Sequence, residues 1–281
     1  MSRVLAIAIW SIGFWGACYA AHSVAAETED DAVLSETHAW ARFGKGAWRE
    51  VRIVTENFDD AGKITNSSVT INKTSVDEVT PDRITLKVEN TLEVAGQRIA
   101  SPVQIIKQGF AGEQVGQTVA VKKVEGTPVL IDGKEVPCET RQIEILGGTT
   151  KEVNLISYSP TPRPIVLRRR NTTSDVATSN VTQESTSDVV ALDLPLRVLD
   201  DIKTAYLVRQ VHRSDRSTTT TWSFHVVDVP GEIVSQSSKK LEAQGKVVRR
   251  STLELVGYGS GLADSYQDAL RGRRGRHKRG R

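Results

Sequence analysis

Residues 205–258, AYLVRQVHRSDRSTTTTWSFHVVDVPGEIVSQSSKKLEAQGKVVRRSTLELVGY, carry the pattern that decides the fold. They read as four strands, 206–212, 218–227, 232–239 and 246–257, separated by polar or glycine-bearing turns. Pro230-Gly231 breaks the middle pair, because proline cannot donate to a ladder and glycine accepts tight-turn geometry.

Upstream the same pattern recurs. Residues 83–94 alternate Ile84, Leu86 and Val88, then Leu92 and Val94, with Thr85, Lys87, Glu89 and Glu93. Such period-two alternation sets one face on a core and the other in water. Residues 48–57 and 64–74 form a pair across the turn Asp59-Asp60-Ala61-Gly62. A second connection, 77–82, contains Pro81, and Ala95-Gly96 turns the chain into 97–108. Residues 118–124 and 129–131 read as short strands, and Asp132-Gly133 marks a hairpin. Residues 134–146 and 149–157 pair across Gly147-Gly148. Pro160, Pro162 and Pro164 interrupt pairing before a strand at 165–170. The Ser/Thr/Asn/Asp-rich stretch 171–188 reads as a long loop or an irregular edge strand, followed by 189–199. Segments 138–170 and 206–239 share one punctuation, strand, turn, strand, proline break, strand, and suggest an internal repeat.

The expected fold is mainly β. It is a strongly curved antiparallel sheet or incomplete barrel built from repeated hairpins, with a short N-terminal helix over 35–43 and a disordered basic C-terminal tail. The expected organisation is a signal peptide at 1–26, a linker at 27–34, one β domain at 35–262, and a short helix with the basic tail at 263–281.

The signal reading rests on Arg3, the apolar run 4–21 with Trp10, Phe14 and Trp15, and Val24-Ala25-Ala26 before Glu27. Cleavage is expected after Ala26, with Ala20 or Ala21 as alternatives; a retained anchor is the other outcome. A lipoprotein site at Cys18 is disfavoured, since Trp15 stands where a small aliphatic residue belongs. Cleavage removes Cys18 and leaves Cys138, so no internal disulfide is expected and Cys138 reads as a buried structural thiol.

The charge is uneven. Of the net +3 over 281 residues, Arg271, Arg273, Arg274, Arg276, Lys278, Arg279 and Arg281 supply seven positive charges and Arg3 one more, leaving the remainder at −5. The basic character therefore belongs to a tail and not to a basic domain. These seven residues are the candidate polyanion-binding set, toward an anionic envelope polymer or lipid surface. No aromatic is interleaved among them, so base stacking is not indicated, nor is sequence-specific nucleic-acid binding.

Nothing in the sequence carries the spacing of a known catalytic, cofactor or metal site. There is no Gly-x-Ser-x-Gly elbow and no phosphate-binding glycine loop. His38, His212, His225 and His277 lack metal-ligand spacing, although His212 and His225 lie on neighbouring strands and could face each other. Asn66, Asn72, Asn171 and Asn180 open Asn-x-Ser/Thr triplets, which matter only in a glycosylating pathway.

Thr221-Trp222-Ser223, then Val229-Pro230-Gly231-Glu232-Ile233-Val234, then Gly245-Lys246-Val247-Val248, resemble exported bacterial β-rich proteins with an open β-barrel, of the lipoprotein-carrier (LolA-like) shape. The resemblance spans about residues 40–258 and carries over no functional residue. It implies an exported, non-enzymatic envelope protein whose sheet offers an interaction surface or an apolar groove. In its lipid- or lipoprotein-carrier version the concave face is rich in Val, Leu and Trp222. The alternative is an envelope hydrolase drawing on His212, His225 and neighbouring acids.

Overall fold

The computed structural model describes residues 34–261 except 36, 95 and 160–165. The signal-peptide, C-terminal helix and basic-tail expectations, including the seven tail cations, lie outside the described residues.

Among the described residues the chain enters through helical positions at 34, 35 and 37 and a 3-10 turn at Ala41–Phe43, a fragment of the helix expected over 35–43. Strands follow: β1 (Ala47–Phe58), β2 (Ile64–Val79), β3 (Arg83–Val94), β4 (Gln97–Ala100), β5 (Gln104–Gly109), β6 (Thr118–Val124), β7 (Val129–Ile131) and β8 (Lys134–Val136). The second half holds β9 (Glu139–Gly147), β10 (Thr150–Tyr158), β11 (Val166–Asp175), β12 (Val181–Val198), β13 (Asp201–Ser214), β14 (Ser217–His225), β15 (Ile233–Glu242) and β16 (Val247–Ser260). Fourteen strands form one antiparallel sheet in the order β4-β3-β2-β1-β16-β15-β14-β13-β12-β11-β10-β9-β6, with β5 also on β3; β7 and β8 form a separate hairpin. The sheet is a meander joined to itself where β1 meets β16, and β6 does not pair with β3, β4 or β5, so it stays open.

Packing reports the curvature. Leu34 joins Ile143, Ile145 and Ile156 on β9 and β10. A few residues on, Trp40, Ala41 and Phe43 pack against Ala47, Val76, Ile84 and Leu86 of β1 to β3. Phe110, from the β5–β6 connection, touches both clusters. These strand groups lie far apart in the sheet order, so the sheet must bend around the N-terminal segment and Phe110 for both to reach it. Val129 and Ile131 of the small hairpin bury against Leu167, Val189, Tyr206 and Val208, closing another part of the concave side. Cys138 packs beside this cluster, and burial pushes its thiol upward.

Two sequence expectations are corrected. Residues 171–188 are not a loop or an edge strand. They are the ends of β11 and β12, which pair with each other and with β10 and β13 on either side. Thr and Ser dominate there because both faces are wet at this end, and β-branched threonine suits a strand. The true turn is short: Asp175 Oδ1 accepts from Thr178 N at 2.8 Å and Thr178 Oγ1 at 2.9 Å. The stretch 97–108 splits into β4 and β5 at Pro102, and both pieces pair with β3.

Alternation within β9 gives a direct test. Ile143 is 0% exposed and Leu146, facing out, is 45% exposed. Ile143→Val is expected to lower unfolding free energy by about 1 kcal/mol, while Leu146→Val leaves it within about 0.5 kcal/mol. Equal urea midpoints for the two variants would contradict the facing assigned to β9.

Candidate functional site

The concave side holds a cavity of about 370 Å³, lined among others by His38, Gln108, Phe110, Arg169, Gln210 and Glu232. Its composition follows from strand parity. On β11 Leu167 and Arg169 share a face; across the ladder Arg169 faces Ser187, and Ser187 faces Gln210. One ladder step away, Val189 faces Val208, and both pack with Leu167. A polar row thus runs beside an apolar row on the same wall, about 7 Å apart along the strands.

One end of the cavity is a charged network on the β14–β15 connection. Gly231 has φ +72, and a Cβ there would lie 2.6 Å from the Trp40 indole, so only glycine lets the connection touch the N-terminal segment. Gly231 N donates to Ala39 O at 3.0 Å. Arg49 Nη1 donates to Gly231 O at 3.0 Å and Ile233 O at 3.1 Å, with Trp40 over its guanidinium. Burial lowers the Arg49 pKa to about 10.

Glu232 is the hub of this network and itself takes φ +62. Its Oε1 accepts from Arg42 Nη2 at 2.7 Å, and its Oε2 accepts from the Tyr206 hydroxyl. Burial opposes the Glu232 charge, but His225, Arg42 and Tyr206 together outweigh it and hold the carboxyl below the usual range. Burial, then the Glu232 charge, drives the Tyr206 phenol well above its ordinary value. His225 stacks on Tyr206 at 5.0 Å, and Ser223 Oγ lies 2.8 Å from His225 Nε2. His225 Nδ1 is 3.8 Å from Glu232 Oε2, too long for a hydrogen bond.

Also on the lining, His38 Nδ1 accepts from the backbone N–H groups of Trp40 and Ala41, each at 3.3 Å. That places its proton on Nε2, which lies 3.2 Å from the Gln108 amide nitrogen, so the Gln108 amide must turn over to offer this N–H its oxygen. Burial, reinforced by the Arg169 charge, lowers the His38 pKa to about 4.

Of the residues singled out in the sequence, His225 belongs to the cavity and His212 does not. His225 pairs with Tyr206 and His212 with Thr219, at opposite ends of the β13–β14 hairpin, so the two histidines do not face each other. Trp222 is not on the concave face. Thr221 and Ser223 point inward on β14, and Trp222 points outward with Arg209 beside it at 5.8 Å. Asn72 and Asn171 have their amides engaged within the sheet, with Asn90 and with Glu152 and Asn154 respectively. Arg42, Arg169, Tyr206 and Glu232 are not among the site residues expected from the sequence.

No family model matches this chain, and no curated protein matches it. Among solved structures it is similar to a protein assigned as exported, with a YmcC-like fold, from Bacteroides fragilis: 11% identity, 76% of this chain and 96% of that one, TM-score 0.29. It is also similar to a protein assigned as a lipoprotein from Parabacteroides distasonis: 9% identity, 77% of this chain and 98% of that one, TM-score 0.31.

Proposed function

We propose that this is an exported, non-enzymatic envelope protein that carries an amphiphilic small molecule in the concavity of its sheet. One observation carries the reading: a cavity of about 370 Å³ in which apolar walls adjoin a few convergent polar groups. That size and mixture suit small-molecule sites. Export rests on Arg3, the apolar run 4–21 and Val24-Ala25-Ala26. In the same reading the basic tail keeps the domain near an anionic polymer or lipid surface.

The hydrolase alternative expected from the sequence draws on His212, His225 and neighbouring acids; the structure leaves His212 apart and puts Ser223 and Glu232 beside His225 instead. Two features weigh against it. Ser223 is buried at 4% exposure, and it sits mid-strand between β13 and β15, where backbone N–H groups serve the ladder and not an oxyanion. Glu232 is also occupied by Arg42 and Tyr206, and Nδ1 of His225 lies out of its reach.

The test uses the neutral fluorophore N-phenyl-1-naphthylamine. Saturable blue-shifted emission with the full chain is expected, and Ala111→Trp, which fills a lining position, is expected to abolish it while the circular dichroism spectrum is kept. Absence of saturable binding to the unaltered protein overturns the reading.

A further inference from the structure

We infer that Arg169 receives the head group of the carried molecule, and that this head group is an oxyanion, carboxylate or phosphate, on an aliphatic chain. The inference rests on the reading of the cavity as a carrier site.

The other charged groups around Arg169 are already engaged. Glu232 is neutralised by Arg42 and bonded by Tyr206. Asp188 is taken by Arg168 at 2.6 Å. Glu152 acts on Arg169 through its charge, but its Oε1 already accepts from Asn154 and Asn171. Among the described residues Arg169 has no ion pair and no hydrogen bond to a carboxylate. Its side chain is solvent-exposed where it lines the cavity, and the protein around it disfavours its charge. A cation in that position gains most from an anion brought in with the ligand.

The neighbours fit the same ligand. Ser187 and Gln210 continue the row from Arg169 and add neutral hydrogen-bonding groups. His38 sits close enough to feel the Arg169 charge, and with Nδ1 already accepting it contributes no negative charge. Leu167, Val189 and Val208 lie one step along the same strands, where an aliphatic chain attached to the head would rest. A guanidinium presents a planar fork that matches two oxygens of a carboxylate or phosphate, which an ammonium cannot do.

The experiment displaces N-phenyl-1-naphthylamine from the full chain with dodecanoate, dodecyl phosphate or dodecanol, which share one chain length. Both anions are expected to displace the probe at concentrations about tenfold or more below dodecanol, the ratio that a charged hydrogen bond supplies. Whichever anion is stronger identifies the head class. Arg169→Met is expected to erase the difference from dodecanol and keep probe binding; Arg169→Lys is expected to keep only part of it. Equal displacement by anions and alcohol from the unaltered protein, with the probe bound, overturns the assignment of Arg169 and leaves the carrier reading standing. An unchanged anion preference in Arg169→Met overturns it too. Failure of the probe to bind removes the carrier reading itself.

Discussion

Glu232→Ala is expected to lower the unfolding free energy by about 3 kcal/mol, a loss that urea denaturation at neutral pH would measure. Removing one member of a desolvated pair leaves the other charge without compensation, which in fully buried pairs costs about 3–5 kcal/mol. The side chains of Arg42 and Glu232 are 23% and 14% exposed, which places this pair at the low end. The Tyr206 hydroxyl loses its acceptor in the same variant. Glu232→Gln keeps an acceptor for Tyr206 and removes only the charge, so its loss is smaller. Arg42 lies in the N-terminal segment and Glu232 on the β14–β15 connection, 190 residues away, so the variant also loosens the docking of that segment. Hydrogen exchange should therefore rise at Trp40 to Phe43 in Glu232→Ala. A loss below about 1 kcal/mol with no change in exchange would show that the network is solvated and holds nothing together.

The strands were largely legible and the site was not, for one physical reason. β3, β6 and β7 fall on the expected bounds because alternation and turn residues are local signals. Residues 171–188 were misread because Ser, Thr and Asn mark loops by composition, whereas here they pair as strand ends with both faces in water. The carrier resemblance implies Trp222 on the concave face, but parity with Thr221 and Ser223 turns it outward. The curved sheet with a fragmentary N-terminal helix agrees with the expected class. The cavity depends on which distant strands meet, and no local pattern encodes that. One clue was present. Arg169 follows Leu167 by two residues on a strand, and a charged residue sharing a face with a core leucine is worth pursuing in any β sequence.

The protein is expected to lose about 3 kcal/mol of stability between pH 6.5 and pH 4 through His38 alone. An ordinary histidine titrates near 6.5, and in the fold His38 does so at about 4. The unfolded chain therefore binds this proton at a pH where the native chain does not, and stability falls as pH drops through that window. The geometry gives the same sign independently. A proton on Nδ1 would confront the N–H groups of Trp40 and Ala41, both of which now donate to it, and the Arg169 charge adds to the cost. The nearby Glu232 charge works the other way and is the lesser influence. Acid thus acts first on the turn that seats Trp40 and Phe43 against β1 to β3. His38→Asn keeps a side-chain oxygen able to accept from the same backbone groups and removes the titration. Urea midpoints measured from pH 7 to pH 4 should fall steeply in the unaltered protein and be flatter in His38→Asn across that interval. Parallel curves would assign the acid sensitivity to another group. Glu232 adds a second step, since its carboxyl is held below the usual range: its share of stability is lost as pH falls from the ordinary value of 4.5 toward the lower folded value, starting at the acid end of this window. The two steps separate in Glu232→Gln, which removes the lower one and leaves the fall between pH 6.5 and pH 4 in place.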